Sequence, residues 1–149
     1  MKMKRLISVI IALLLVMNLS VTAFAAEWYL EDGDITVSAG DSGQTVSQGS
    51  STGVADNAPV IKQRDSSKTT DSTITISTSD NATANVTIQD INISSTGDAI
   101  DVGSSSANIT LEGDNKIFSE TGSALHVSDG DVTITGTDGE VLLGTLVEA

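Results

Sequence analysis

Residues 85–107 read NVTIQDINISSTGDAIDVGSSSA, and residues 108–130, which follow without a break, read NITLEGDNKIFSETGSALHVSDG. The second stretch rewrites the first in different letters. Asn85-Val86-Thr87-Ile88 returns as Asn108-Ile109-Thr110-Leu111 and again as Asp131-Val132-Thr133-Ile134, each time after 23 residues. Every copy is a short polar residue, an apolar one, a threonine and another apolar one. Strict alternation sends one face inward and the other outward, which is the period of a β-strand. Asp34-Ile35-Thr36-Val37 and Thr73-Ile74-Thr75-Ile76 carry the same phrase at irregular distances. Two further phrases recur: Ile91-Asn92-Ile93 as Asn115-Lys116-Ile117, and Thr96-Gly97-Asp98-Ala99-Ile100-Asp101-Val102, 25 residues later, as Thr121-Gly122-Ser123-Ala124-Leu125-His126-Val127.

Each unit therefore holds about three short strands separated by Gly, Ser, Asp and Asn turns, with no room left for a helix. Units of roughly 20–50 residues at a fixed period mark a solenoid, because one unit cannot bury its own apolar face and stacking does so instead. The pattern predicts an all-β chain folded as a parallel β-helix of three to four coils, regular from about residue 72 to 144. The strong preference of parallel crossovers predicts a right-handed one. The inward column is expected to hold Val86, Ile88, Ile91, Ile93, Ile100 and Val102 in one coil. Ile109, Leu111, Ile117, Leu125 and Val127 follow in the next, and Val132, Ile134, Val141 and Leu143 begin a third. Val86, Ile109 and Val132 are expected to stack on one another, with Thr87, Asn92, Asp101, Thr110, Lys116, His126 and Thr133 exposed. Asn115 stands where Ile91 stood. Either its amide enters the column and bonds along the axis, as stacked amides do, or a one-residue bulge turns it outward.

The chain opens with Lys2, Lys4 and Arg5, then an apolar core over residues 6–17, then the small-x-small site Ala23-Phe24-Ala25. That is the three-part plan of a secretory signal peptide, and the apolar core is short of the about 20 residues of a membrane span. Cleavage is expected after Ala25, which divides the chain into a signal peptide (1–25), an N-terminal cap and irregular first coil with a polar loop (26–71), and regular coils (72–149). Three of the 7 basic residues leave with the signal and none of the 20 acidic ones, so the mature chain has 4 basic against 20 acidic residues, a net charge of −16. Such a surface repels phosphate backbones and anionic lipid, which excludes nucleic acid and, after cleavage, a membrane as partners. Cysteine is absent. The composition suits a secreted or cell-surface bacterial protein better than a disulfide-rich secreted domain.

Residues 38–58, SAGDSGQTVSQGSSTGVADNA, show no sustained alternation and read as a loop or irregular first coil. Trp28, Tyr29 and Leu30 are expected to close the N-terminal end, where raw strand edges would otherwise stand open. The last ten residues, EVLLGTLVEA, are apolar and carry no polar cap, so the natural polypeptide is expected to continue, the chain being a monomer or a part of a longer protein.

Acidic residues gather at the turns: Asp32 and Asp34, Asp98 and Asp101, Asp129 and Asp131, Asp138 and Glu140. Turn carboxylates beside free carbonyls suit calcium, which takes 6–8 oxygen ligands. Asp98, Asp101, Asp129 and Asp131 are the expected ligands, at adjoining coils. The alternative is that Asp and Asn are simply good turn formers. His126, the sole histidine, alternates outward between Leu125 and Val127; with no cysteine and no second histidine nearby it does not read as a metal site. Two carboxylates on adjacent coils also have the spacing of a glycosidase pair, but 20 acids supply such pairs by chance, and no catalytic residue is assigned. Of the N-x-S/T matches at Asn81, Asn85, Asn92 and Asn108, three lie inside the expected strands and recur with the coil period, as by-products of the strand phrase.

The stretches EWYLEDGDITVSAGDSGQTVSQG (27–49), NAPVIKQRDSS (57–67), NVTIQDINI (85–93), NITLEGDNKI (108–117) and SALHVSDGDVTITG (123–136) together resemble the secreted right-handed β-helix proteins of clostridial and related gut bacteria. These are carbohydrate-binding domain-containing surface proteins similar in fold to pectate lyases. The resemblance implies binding of polysaccharide, including acidic plant glycan held through calcium, without cleavage. Pectate lyases add a catalytic arginine; Arg64 is the only arginine after the signal and lies outside the regular coils, so lyase activity is not carried over. The expected function is a non-catalytic module that binds polysaccharide or acts in adhesion. A structural spacer of a larger surface protein is the first alternative, and a fragment of a polysaccharide lyase or glycoside hydrolase the second.

Overall fold

The computed structural model describes residues 25–79, 81–137 and 139–145. Residues 1–24, which hold most of the expected signal peptide, Asp80, Asp138 and residues 146–149 lie outside them. The described chain is a β-solenoid of about three turns, a parallel β-helix. Its first face stacks β1 (Glu27–Tyr29), β5 (Val60–Lys62), β7 (Thr83–Gln89), β10 (Ser106–Glu112) and β13 (Val132–Gly136) in that order, all parallel. The second face stacks β2 (Ile35–Gly40), β6 (Ile74–Thr78), β9 (Ile100–Gly103) and β12 (Leu125–Val127). The third holds β8 (Asn92–Ser95), β11 (Asn115–Ser119) and β14 (Val141–Thr145), extended towards the N-terminus by one bridge residue, Thr70, opposite Ile93.

The alternating phrase produces this because each inward residue lands on its copy in the next coil. Trp28, Ile61, Ile88 and Leu111 form one such column, and Ile35, Ile74, Ile100 and Leu125 another. Val86, Ile88, Ile91, Ile93, Ile100, Val102, Ile109 and Ile117 are buried as expected. Asn115 enters the column with no exposed surface. Its Nδ2 donates to the carbonyls of Glu112 (2.9 Å) and Gly113 (3.2 Å), and its Oδ1 accepts the Ile91 N–H at 3.3 Å. The bulge alternative does not occur.

The expected stack of Val86, Ile109 and Val132 holds for its first pair alone. Ile109 lies on Val86, but Val132 lies on Ala107, and Ile134 takes the place on Ile109. The coil lengthens as it climbs: Asn108 pairs with Asn85 at an offset of 23, Lys116 with Asn92 at 24, Leu125 with Ile100 at 25 and Thr133 with Asn108 at 25. One residue is added at the Gly113-Asp114 turn and another between Ser119 and Leu125. In β13 the total shift of two keeps Val132 and Ile134 on the inward face, so the fold survives a register that the 23-residue phrase misplaces; in β12 a bulge pairs Val127 with Gly103 in place of the expected Val102.

Val127, Ile134, Val141 and Leu143, also expected inward and buried, are 39–47% exposed. No described strand stacks beyond them. Ile134 and Leu143 nevertheless line the lumen with Ile109 and Ile117. Thr87, Asn92, Asp101, Thr110 and His126 are half-buried rather than open, because neighbouring rungs flank them.

Residues 38–58 are not a loop. β3 (Gly43–Gln48) turns back antiparallel along β2, and β4 (Ser51–Ala55) along β3, so a meander covers the N-terminal edge of the second face. The alternation is present, but its inward positions are Gln44, Val46 and Gln48, two amides around one apolar residue. Leu30 is fully buried and Trp28 packs on the core, which closes this end as the aromatic-rich start suggests.

The contrast between the closed centre and the open end sets an expectation for stability. Ile88→Ala should lower the unfolding free energy by about 2–5 kcal/mol, whereas Ile134→Ala, already 45% exposed, should cost well under half of that. Urea unfolding of both variants checks this; equal losses would contradict the packing described.

Candidate functional site

The repeated turn phrases place carboxylates at the corners of successive coils, and four of them, Asp34, Asp90, Asp98 and Asp114, take up backbone N–H groups of the next coil. Asp34 Oδ1 accepts from Thr73 at 2.8 Å, Asp90 Oδ1 from Asp114 at 3.0 Å, and Asp114 Oδ1 from Glu140 at 2.9 Å. Asp98 Oδ1 accepts from Ser123 at 2.6 Å. Gly113, at φ +64°, shows how tight such a corner is: a Cβ there would come within 2.0 Å of Asp90 Oδ1. The turn acids thus have a structural reason to be acids. They bridge coils where strand pairing is interrupted.

Of the four expected calcium ligands, the structure brings Asp98 and Asp101 together and adds His126, their potential ligand atoms lying within 4.8 Å of one another. Asp129 and Asp131 are exposed at the turn before β13 and do not belong to this group. His126 sits on Asp101 in the ladder between β9 and β12. Its Nδ1 lies 2.9 Å from Asp101 Oδ1 and 3.5 Å from Asp98 Oδ2. The hydrogen bond to Asp101 raises the imidazole pKa above its ordinary value; burial opposes it, and the negative charges of Asp98 and Asp101 add smaller upward contributions. Two carboxylates, one oxygen of which already holds Ser123, with one imidazole nitrogen fall short of the oxygen-only set of 6–8 ligands that calcium takes. The residues do not fit that ion as a preformed site. Against its chain neighbours His126 carries no sign of a site; the 25-residue phrase that aligns it with Asp101 holds the signal.

A different surface is built on the outer side of the first face. Asn85, Asn108 and Thr133 form one outward column, and Val60, Thr87, Thr110 and Thr135 the next. Asn108 Nδ2 donates to Asn85 Oδ1 at 3.0 Å, and the hydroxyls of Thr110 and Thr135 lie 3.3 Å apart. Beside Asn85 opens a cavity of about 290 Å³. Small residues (Ala39, Gly40, Gly43, Ala82) and the polar side chains of Gln44, Asn57, Thr83 and Asn85 line it. At the N-terminal end of the face stands Tyr29, with the Arg64 guanidinium 4.1 Å and the Lys62 ammonium 5.9 Å from its ring centre. Arg64 is clamped by both oxygens of Asp32 (2.7 and 3.1 Å), and Lys62 pairs with Glu27 at 3.0 Å. Those contacts raise the pKa of both bases. Glu27, bonded by the Tyr29 hydroxyl and by Lys62, is held below the usual carboxylate range.

Compared with protein-family models, with curated proteins and with solved structures, the chain finds no match.

The His126 contact carries a pH signature. Its folded pKa is raised, so its contribution to stability is fully present below the ordinary imidazole value of about 6.5 and is lost as pH rises through the folded value. With a chelator present, the gap in melting temperature between the protein and His126→Gln should be widest under mildly acidic conditions and close towards alkaline pH. A gap independent of pH would show that the imidazolium is not what Asp98 and Asp101 hold.

Proposed function

We propose that the protein is a non-catalytic, secreted or surface-exposed module that binds polysaccharide or serves adhesion through the outer side of its first face. The observation that supports this reading is the paired ladder of Asn85 with Asn108 and Thr110 with Thr135. It is an open, even array of amides and hydroxyls with rungs about 4.8 Å apart. A repeating sugar presents hydroxyls at regular intervals to such an array. The adjoining cavity beside Asn85, close to the lower end of the about 300–1,000 Å³ range of ligand pockets, has room for one sugar ring at the end of the track. Tyr29 with Arg64 and Lys62 gathers basic side chains at the same N-terminal end of the stack, where a uronate would meet least repulsion. The kinship with pectate-lyase-like carbohydrate-binding proteins belongs to this proposal, and so does calcium as an aid to acidic glycan.

A spacer within a larger surface protein is the second reading. It is favoured by the open coil end, where Ile134, Val141, Leu142 and Leu143 are exposed and further coils would find an apolar seat. If the chain were instead a lyase or hydrolase, Asp98, Asp101 and His126 would be the place to look.

Isothermal titration against polygalacturonate and neutral glycans, each with and without calcium, separates the three. Binding is expected, and Asn108→Ala with Thr110→Ala should weaken it by about 3–10-fold for each hydrogen bond removed. No heat with any glycan would leave the spacer; release of unsaturated or shortened products would make the protein an enzyme.

A further inference from the structure

Asp56 is the one carboxylate buried among the described residues, with 1% of its surface exposed. Its Oδ2 accepts the Trp28 indole N–H at 2.9 Å and the main-chain nitrogen of Ala26 at 3.1 Å, while Oδ1 accepts the Ala58 N–H at 3.2 Å. Gln44 holds the residue from both sides: its carbonyl accepts the Asp56 N–H at 3.0 Å and its Nε2 donates to the Asp56 carbonyl at 3.1 Å. The ion pairs among the described residues engage Lys62, Arg64, Lys68 and His126 with other acids, and none reaches Asp56. A carboxylate taken out of water without a positive partner is costly. The sequence says where a positive charge would come from. Ala23-Phe24-Ala25 marks the bond between Ala25 and Ala26 for cleavage, and the nitrogen of Ala26 is the atom already turned towards Asp56.

We propose that Asp56 is the receptor for the α-ammonium group that processing between Ala25 and Ala26 creates, so that the N-terminal seal of the solenoid acquires its ion pair only in the processed chain. The chemistry is hydrolysis by a secretory peptidase. Water adds across the peptide bond, Ala25 departs with the new carboxylate, and the Ala26 nitrogen keeps its place and becomes an ammonium. That place is fixed independently, since the Ala26 carbonyl accepts the Val60 N–H at 2.9 Å and β1 pairs with β5 immediately beyond. The same carboxylate oxygen anchors Trp28, which packs on the core. Charging this contact therefore tightens the plug at one end of the stack. The core begins at Leu30, so a chain starting at Ala26 contains all of it and is a fair object for measurement. The proposal rests on the signal-peptide reading and is independent of what the outer face binds.

Two measurements test it. Mass spectrometry of the protein exported by a bacterial host should give Ala26 as its first residue; a different terminus overturns the processing site and the proposal with it. Thermal and urea unfolding then compare five chains: one starting at Ala26, the same chain N-acetylated, one extended by Ala25, and the Ala26 and Ala25-extended chains each carrying Asp56→Asn. The free ammonium should raise the folding constant about tenfold over the acetylated and extended chains, the difference between a charged and a neutral hydrogen bond. Extension by Ala25 should have no effect in the Asp56→Asn background. Acetylation leaves every side chain in place, so the comparison stands even if Asp56→Asn fails to fold. A correct Ala26 terminus with equal stability of the free, acetylated and extended chains would overturn the lock and leave the signal reading intact.

Discussion

A stack of coils exists only if each coil passes its backbone N–H and C=O groups to the next, because buried peptide groups left unpaired cost more than the apolar contacts around them return. Along the strands of the two coils built of β7 to β12 the ladders do this themselves. Where a strand is missing or a corner breaks the ladder, a side chain takes over. Gln44 reaches the Asn85 backbone from both ends of its amide, accepting at 2.8 Å and donating at 2.9 Å. Gln63 does the same for the thin third face, accepting the Asn92 N–H while donating to the Lys68 carbonyl at 3.1 Å. Asn115 repeats the device inside the column. Among the described residues no buried side-chain nitrogen or oxygen is left without a partner.

The acidity of the chain follows from the same requirement. At corners the ladder breaks, and the free N–H of the next coil needs an acceptor that needs no donor in return. An aspartate meets that need with a short side chain, and Asp34, Asp90, Asp98 and Asp114 each do so. Repeating the coil repeats the acid, so these four aspartates need no ligand to account for them. What selection for binding would look like is different: polar groups that face away from the backbone, as Thr133 and Thr135 do, or groups that meet each other across coils, as Asp101 and His126 do.

The phrase spacing carried the fold because alternation survives a two-residue error. Val132 could be assigned to the wrong rung and still to the correct face, whereas a shift of one would have turned Ile134 outward. Length changes within the coil were less legible, since the residues added near Gly113 and after Ser119 fall in turns where any small polar residue fits. The antiparallel meander was hidden for a chemical reason. Its inward residues Gln44 and Gln48 bond to backbone, so a search for apolar alternation passes over them. The Asp98, Asp101 and His126 group was legible in principle, because sequence neighbours on one strand point to opposite faces while residues a coil apart touch. Asp129 and Asp131 are near His126 in the chain but lie beyond β12, in the turn before β13, and do not join its group.

Core and surface in this architecture answer to different columns of the same repeat, and that separation bears on how a function is added to it. Changing Thr110 alters an outer rung between Thr87 and Thr135 and leaves the inward column through Ile109 untouched, so the outer face is free to vary at little cost to the stack. The ends do not share that freedom. At the N-terminal end one carboxylate, Asp56, ties together the start of β1, the Trp28 side chain and the turn after β4, and loss of any of these opens the lumen from that side. A solenoid with a tolerant face and an intolerant seal has its latitude along the Asn and Thr columns and its constraint at the start of β1, in separate parts of one molecule.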